Sequence, residues 1–266
     1  MKPTVVGCAG SFPSQESPAS CYLLEAPFEG RTYRLLVDLG SGALGNLQSF
    51  CDLRDIDAIA ISHMHADHCF DLSGLYVVSK YHPEGAYRQI PLYAPGGSEG
   101  QLAQIYGLHD GDDLSGTARP AQLAGRRDRA ARPVRGRGAS GRASHRVVRH
   151  ADLVGRTHLG VLRRHRPDRD ARRVRRRCGC LLVRGVVRRV RDESSELHLT
   201  GAEAGHYATV GQVGRLLVTH IPAWTDRAEV ESDVKSTWDG PYEPSRPARP
   251  TTSESSPGPI GSRHDS

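Results

Sequence analysis

Residues 118–191 hold 24 arginines and no lysine, with four aspartates (Asp128, Asp152, Asp168 and Asp170) and no glutamate, a net charge of +20. The same stretch contains no Phe, Tyr, Trp, Ile, Met or Asn. It lacks aromatic anchors and most of what builds a core, so it is not expected to bury enough apolar surface to form an ordinary folded domain. The rest of the 266-residue chain carries 12 basic and 26 acidic side chains, or −14, and the overall charge of +6 averages two unlike parts.

Three explanations compete for this segment. A nucleic-acid-binding tail normally mixes Lys with Arg and interleaves Gly or aromatics. A solvated linker carries Ser, Glu and Lys. GC-rich DNA translated out of register is the explanation that accounts for the loss of every residue type with AT-rich codons. Written in GC-rich codons and read from the second base, Leu162 to Pro167 becomes SGDTGP, Arg142 to Arg149 becomes AHPTESF, and Val183 to Val190 becomes SEASFVE. All three share one offset, which puts a frame slip near Thr117 that is undone near Arg191. Arg249 to Glu254 treated in the same way, from the third base, yields TYDI and a stop codon. The chain therefore divides into an in-register block 1–117, a frame-shifted and unstructured Arg-rich segment 118–191, a second in-register block 192–243, and a disordered tail 244–266 that is also shifted.

Within the two in-register blocks, Thr4 to Gly7, Cys21 to Leu24, Leu35 to Asp38, Asp57 to Ile61, Pro91 to Ala94 and Arg215 to Thr219 read as short strands between Gly- and Pro-rich turns. Ala43 to Phe50, Cys69 to Lys80, Gly97 to Tyr106, Gly201 to Gln212 and Asp226 to Lys235 read as helices. Strands alternating with helices indicate an α/β layered architecture.

The strand at Asp57 to Ile61 delivers the chain into Ser62-His63-Met64-His65-Ala66-Asp67-His68. In extended backbone His63 and His65 project to one side, so two imidazoles reach one ion, while Asp67 and His68 serve an adjacent ion as the chain turns into the next helix. Imidazole with carboxylate is a borderline ligand set that suits Zn2+, with Mn2+ or Fe as alternatives. Asp38 reads either as a hydrogen-bond partner of this loop or as a turn residue.

On these residues the chain resembles the metallo-β-lactamase superfamily, whose HxHxDH signature is matched in full at 63–68. Further matches are Gly7-Cys8-Ala9-Gly10-Ser11, Leu36-Val37-Asp38-Leu39-Gly40, Leu197-His198-Leu199-Thr200 and Thr219-His220-Ile221-Pro222. The combination is most similar to the phosphodiesterase side of the superfamily, the tRNA-trimming endonucleases and bacterial cyclic-nucleotide phosphodiesterases. The resemblance implies a four-layer αββα sandwich, left incomplete by the Arg-rich segment. It also implies two metal ions per chain, with His63 and His65 on the first and Asp67, His68 and His220 on the second. Asp67 would help hold the nucleophile, and His220 would stand beside the leaving group. The family's third histidine and its bridging aspartate correspond to the AHPTE and SGDTG of the shifted frame, so the chain as written lacks both and is expected to be impaired.

An acidic body repels long polyanions, which favours a small phosphodiester such as a cyclic nucleotide over RNA, with thioester or lactam hydrolysis behind them. An Arg-rich nucleic-acid-binding protein that keeps the histidine motif as a relic is the alternative from a different class, followed by an inactive relic. His82, His109 and His206 read as surface residues, His198 reads either as a surface residue before a helix or as a residue that approaches the site, and His145, His150, His158 and His165 are not assigned as replacement ligands. No apolar run approaches the ~18 residues of a membrane span, and the six cysteines form no CxxC pair. A cytoplasmic setting and no membrane partner are expected, with a dimer compatible with the sequence.

Overall fold

The structure, a computed structural model, describes residues 2–107, 118–120, 134–136, 150–153, 158–162, 180–184 and 199–249. The first sheet is built from β1 (Lys2–Gly7), β3 (Cys21–Phe28), β4 (Arg31–Val37), β5 (Ala58–Ala60), β6 (Ile90–Tyr93) and β7 (Ala118–Pro120), adjacent in that order. The β1, β3 and β4 strands are antiparallel neighbours, and pairing is parallel from β4 onward. The β3–β4 hairpin turns on Glu29 and Gly30, both in the left-handed region at φ 48° and 78°. Two such residues are what a tight hairpin needs to match the strand twist, and glycine adopts this backbone without penalty.

The second sheet runs β14 (Tyr242–Pro244), β12 (Leu216–Thr219), β11 (Cys180–Arg184), β10 (His158–Leu162), β9 (His150–Leu153) and β8 (Val134–Gly136). A third, two-stranded sheet pairs β2 (Ala9–Gly10) with β13 (Ile221–Pro222) in parallel. Helices α1 (Ala43–Leu47), α2 (Ala66–Cys69), α3 (Leu72–Tyr81) and α4 (Ser98–Tyr106) follow strands of the first sheet; α5 (Gly201–Gly211) and α6 (Arg227–Lys235) accompany the second.

The four layers follow from the period of two along each strand. Cys21, Leu23, Leu36 and Ile59 face α1, α3 and α4, joining Leu47, Leu72, Leu75 and Leu102 in one core. The alternate residues Tyr22, Leu24, Leu35, Val37, Ala58 and Ala60 face the other way and meet Leu182 and Leu217 between the sheets. Val183, Leu216 and Val218 then turn to the far side and pack against Ala204, Tyr207 and Ala208 of α5 and Val230 and Val234 of α6. Strands buried on both faces are apolar throughout, which is why LLV and AIA runs mark them rather than apolar–polar alternation. This is the αββα sandwich that the sequence implied. No helix among the described residues is long and apolar enough to cross a membrane.

One boundary departs from expectation. The predicted helix over Cys69 to Lys80 is two helices, because Asp71 turns its carboxylate to accept the Leu44 amide at 2.8 Å while its own amide donates to the Leu39 carbonyl. Within 118–191, expected to be irregular, the described residues are β7 to β11, where short runs such as HLGVL and CLLVR pair as strands and Leu182 and Val183 are buried. Their hydrophobic stretches fit a strand position even inside an Arg-rich context; the rest of 118–191 lies outside the described residues. Of the tail expected to be disordered from 244, residues 244–249 are described. There Ser245 is buried and donates its amide to Val218, and the Ala248 amide reaches the Val5 carbonyl at 2.7 Å. Residues 250–266 lie outside the described residues.

Cys8, Cys21, Cys51 and Cys69 are free and buried. Burial pushes the Cys51 thiol up to about 11 and the Cys69 thiol to about 12.

The hydroxyls of Tyr22 and Thr219 share a buried 2.8 Å hydrogen bond that ties the first sheet to the second. Tyr22→Phe leaves the Thr219 hydroxyl unpaired there, and a loss of about 1–2 kcal/mol in urea unfolding is expected. An unchanged midpoint would contradict this link between the sheets.

Candidate metal centre

The second half of the histidine motif is assembled by a buried carboxylate. Asp38, at the end of β4, is fully excluded from solvent and has left-handed backbone at φ 59°. Its Oδ1 accepts the Ser62 amide at 2.7 Å, and its Oδ2 accepts the Ser62 hydroxyl at 3.0 Å and faces His68 Nδ1 at 3.2 Å. Asp38 thus resolves the choice left open by the sequence: it is a turn residue by backbone and the support of the histidine loop by side chain. The contact at Nδ1 orients the His68 ring so that its Nε2 points at Asp67 and His220.

Backbone contacts fix the loop from the other side. The Ser20 amide donates to the Asp67 carbonyl at 3.1 Å, and the Leu39 amide to the His68 carbonyl at 2.8 Å. Such close approach requires glycine at Gly40, where a Cβ would fall 2.0 Å from the Asp67 carbonyl oxygen. His220 arrives at the end of β12, its amide donating to the Cys8 carbonyl at 3.0 Å, with φ at 60°. A non-glycine residue in that conformation carries backbone strain of about 1–3 kcal/mol, which the surrounding structure must offset.

Asp67, His68 and His220 meet here. His220 Nε2 lies 2.8 Å from Asp67 Oδ2, His68 Nε2 lies 3.0 Å from the same oxygen, and the two Nε2 atoms are 3.1 Å apart. One potential ligand atom from each of the three residues falls within 4.8 Å of the others. All three residues are buried. Burial alone would raise the Asp67 carboxyl, but hydrogen bonds with His220 and His68 outweigh it and hold the group well below the usual carboxylate range. The Ser11 amide adds a further 3.1 Å hydrogen bond to Asp67 Oδ2. Two imidazole nitrogens and a carboxylate oxygen directed at one another form a donor set that fits a divalent cation.

His63 and His65 stand beside this group. The His63 ring is 4.1 Å from that of His68 and 4.6 Å from that of His65, and its Nδ1 is 3.1 Å from the Ser62 hydroxyl. His65 is exposed and His63 half-buried, so these two line the open side of the cleft. All five residues named from the sequence as ligands are therefore brought to one place. The segments that correspond to AHPTE, and to SGDTG beyond Leu162, lie outside the described residues, as do His109 and His198. His82 packs with Arg54 and Tyr87, and His206 is exposed on α5, both away from this cluster. Ser11 and Ser62 stand in the sequence motifs but received no role there; Ser11 acts through its amide and Ser62 through its amide and hydroxyl. The adjoining Gly10 and the strand end at Ile61 were the available signals.

A sheet sandwich with histidines and aspartates gathered at its strand ends defines a metallo-hydrolase architecture. The chain belongs to the metallo-β-lactamase superfamily, whose model matches residues 15–168. It is 35% identical to an uncharacterised protein of Mycobacterium tuberculosis over 253 residues, 90% of this chain and 87% of that one. Among solved structures it is similar to the metallo-β-lactamase fold protein YhfI from Bacillus subtilis, with a TM-score of 0.74 and 21% identity over 93% of this chain and 97% of that one. It is also similar to the short form of human tRNase Z, with a TM-score of 0.59 and 19% identity over 84% and 93%.

Asp38→Asn keeps the size of the side chain but weakens its hold on His68 Nδ1. Zinc affinity measured by competition with a chromophoric chelator is expected to fall ~10–100-fold, with the circular dichroism spectrum preserved. Unchanged affinity would show that Asp38 does not support the site.

Proposed function

We propose that this chain is built as a metal-dependent phosphodiesterase that acts on a small phosphodiester such as a cyclic nucleotide. The observation that carries this reading is the convergence of Asp67, His68 and His220, with His63 and His65 alongside, at the strand ends of the sandwich. Two divalent ions, zinc in first place, would supply a water of lowered pKa and a Lewis acid for the phosphoryl oxygen. His63 and His65 would hold one ion; Asp67, His68 and His220 would hold the other. Asp67, whose Oδ2 faces His220 and His68 and accepts the Ser11 amide, would help hold the attacking water. The His220 amide is fixed by its hydrogen bond to the Cys8 carbonyl, and the His220 side chain would stand beside the departing oxygen. The −14 body of the chain disfavours a long polyanion and supports a small substrate over RNA.

The same reading holds that the chain as written is incomplete, because the third histidine and the bridging aspartate are encoded in the shifted frame of 118–191. What supports it is the single shared offset that restores AHPTE, SGDTG and SEASF in order.

The test compares the chain as written with a version in which both frames are restored. Little or no hydrolysis of bis-p-nitrophenyl phosphate is expected from the former. The latter is expected to take up about two metal ions per chain and turn over. Equal activity in the two would refute the need for the restored ligands, and inactivity in both would refute the phosphodiesterase reading.

A further inference from the structure

The two-stranded sheet beside the metal centre sets up a second feature. In its register Ala9 pairs with Ile221 and Gly10 with Pro222. Phe12 lies two residues beyond Gly10, and Trp224 lies two residues beyond Pro222. The Phe12 amide donates to the Gly10 carbonyl at 2.8 Å and the Thr225 amide to the Pro222 carbonyl at 2.9 Å, so each loop turns tightly as it leaves the sheet. The two rings meet in a tilted pair with centroids 5.0 Å apart and planes at 37°.

Both loops start at the metal centre. Ser11, adjacent to Phe12, gives its amide to Asp67, and His220 precedes Ile221 directly. Gly10 packs against His220 so closely that a Cβ would fall 2.5 Å from the His220 carbonyl oxygen. Yet the aromatic pair is not buried: Trp224 is 70% exposed and Phe12 40%. A pair present only for packing would hide its faces, since an indole is among the most strongly stabilising groups to bury. Paired aromatic faces left open next to a phosphoryl-processing centre match what a nucleobase requires, because every base offers a π-face that stacks on aromatic side chains.

We infer that Phe12 and Trp224 form a stacking platform for the nucleobase of the substrate, with the phosphate at Asp67 and His220. This rests on the phosphodiesterase reading and narrows it to nucleotide phosphodiesters, with Phe12 and Trp224 as positioning residues.

The probe is adenosine 5′-monophosphate, titrated into the full chain and read by tryptophan fluorescence, with ribose 5-phosphate as the control that lacks a base. Saturable quenching by the nucleotide and none by the sugar phosphate is expected. The chain's other tryptophan, Trp238, packs against the second core with its indole N–H directed at the Pro241 carbonyl, so the signal that responds is that of Trp224. Phe12→Leu is expected to weaken the nucleotide by at least about fivefold. In calorimetry Trp224→Leu should do the same while Trp224→Phe retains binding. Absence of quenching, equal binding of the sugar phosphate, or indifference to both leucine variants would overturn the platform. Hydrolysis of bis-p-nitrophenyl phosphate by the frame-restored chain with no base-dependent binding would sink the platform alone. Base-dependent binding with no hydrolysis by the frame-restored chain would sink the phosphodiesterase reading and leave the platform standing.

Discussion

A single buried carboxylate holds the cleft together. Asp38 has no exposure to solvent, and its two oxygens are shared among the Ser62 amide, the Ser62 hydroxyl and His68 Nδ1. Removing a charge from water is costly unless hydrogen bonds replace the water, and here the histidine loop supplies the Ser62 amide, the Ser62 hydroxyl and His68 Nδ1. Satisfying the carboxylate therefore favours the loop in place, and the loop, once in place, presents His68 Nε2 to Asp67 and His220. The strand ends β4, β5 and β12 converge on this point, and the position of each ligand follows from the register of its strand.

Three of the five described non-glycine residues with positive φ lie in the same neighbourhood, the others being Glu29 in the β3–β4 hairpin and Gln212 after α5. Asp38 and His220 both have positive φ without being glycine, as does Ser11, whose amide reaches Asp67. Each of these residues makes at least one contact with the ligand group or its support, so the less favourable conformations lie where the chain must reverse sharply to bring a side chain or amide to the centre. The layers behind them are ordinary in conformation and apolar on both faces. That division between a rigid sandwich and strained strand ends lets the ligands be held without help from long loops.

Much of this was legible in the residues. DAIAI marked a strand buried on both faces, and its direct continuation into His63 placed the histidines at a strand end; the Leu216–Thr219 strand did the same for His220. The αββα layering was visible only through the family resemblance, because short apolar runs such as LLV fix a strand but not the sheet in which it sits. The break between α2 and α3 escaped periodicity, since Asp71 acts through a tertiary bond to Leu44 rather than a local stop signal. Strands such as Cys180–Arg184 were hidden by an arginine-rich composition that argued against order over the whole segment. The pairing of Phe12 with Trp224 could not be read at all, because it depends on the parallel register of two residues from each end of the chain.

The account rests on His220 closing the ligand group from the far side of the sandwich. Zinc binding by the chain and by His220→Asn, measured by isothermal titration calorimetry, tests this most directly, since asparagine tolerates the left-handed backbone at this position and removes only the imidazole. Zinc is expected to bind the chain, and the substitution to weaken it by more than ~100-fold, beyond the loss typical of a supporting residue. Equal affinity in the two proteins would show that Asp67, His68 and His220 do not hold an ion together.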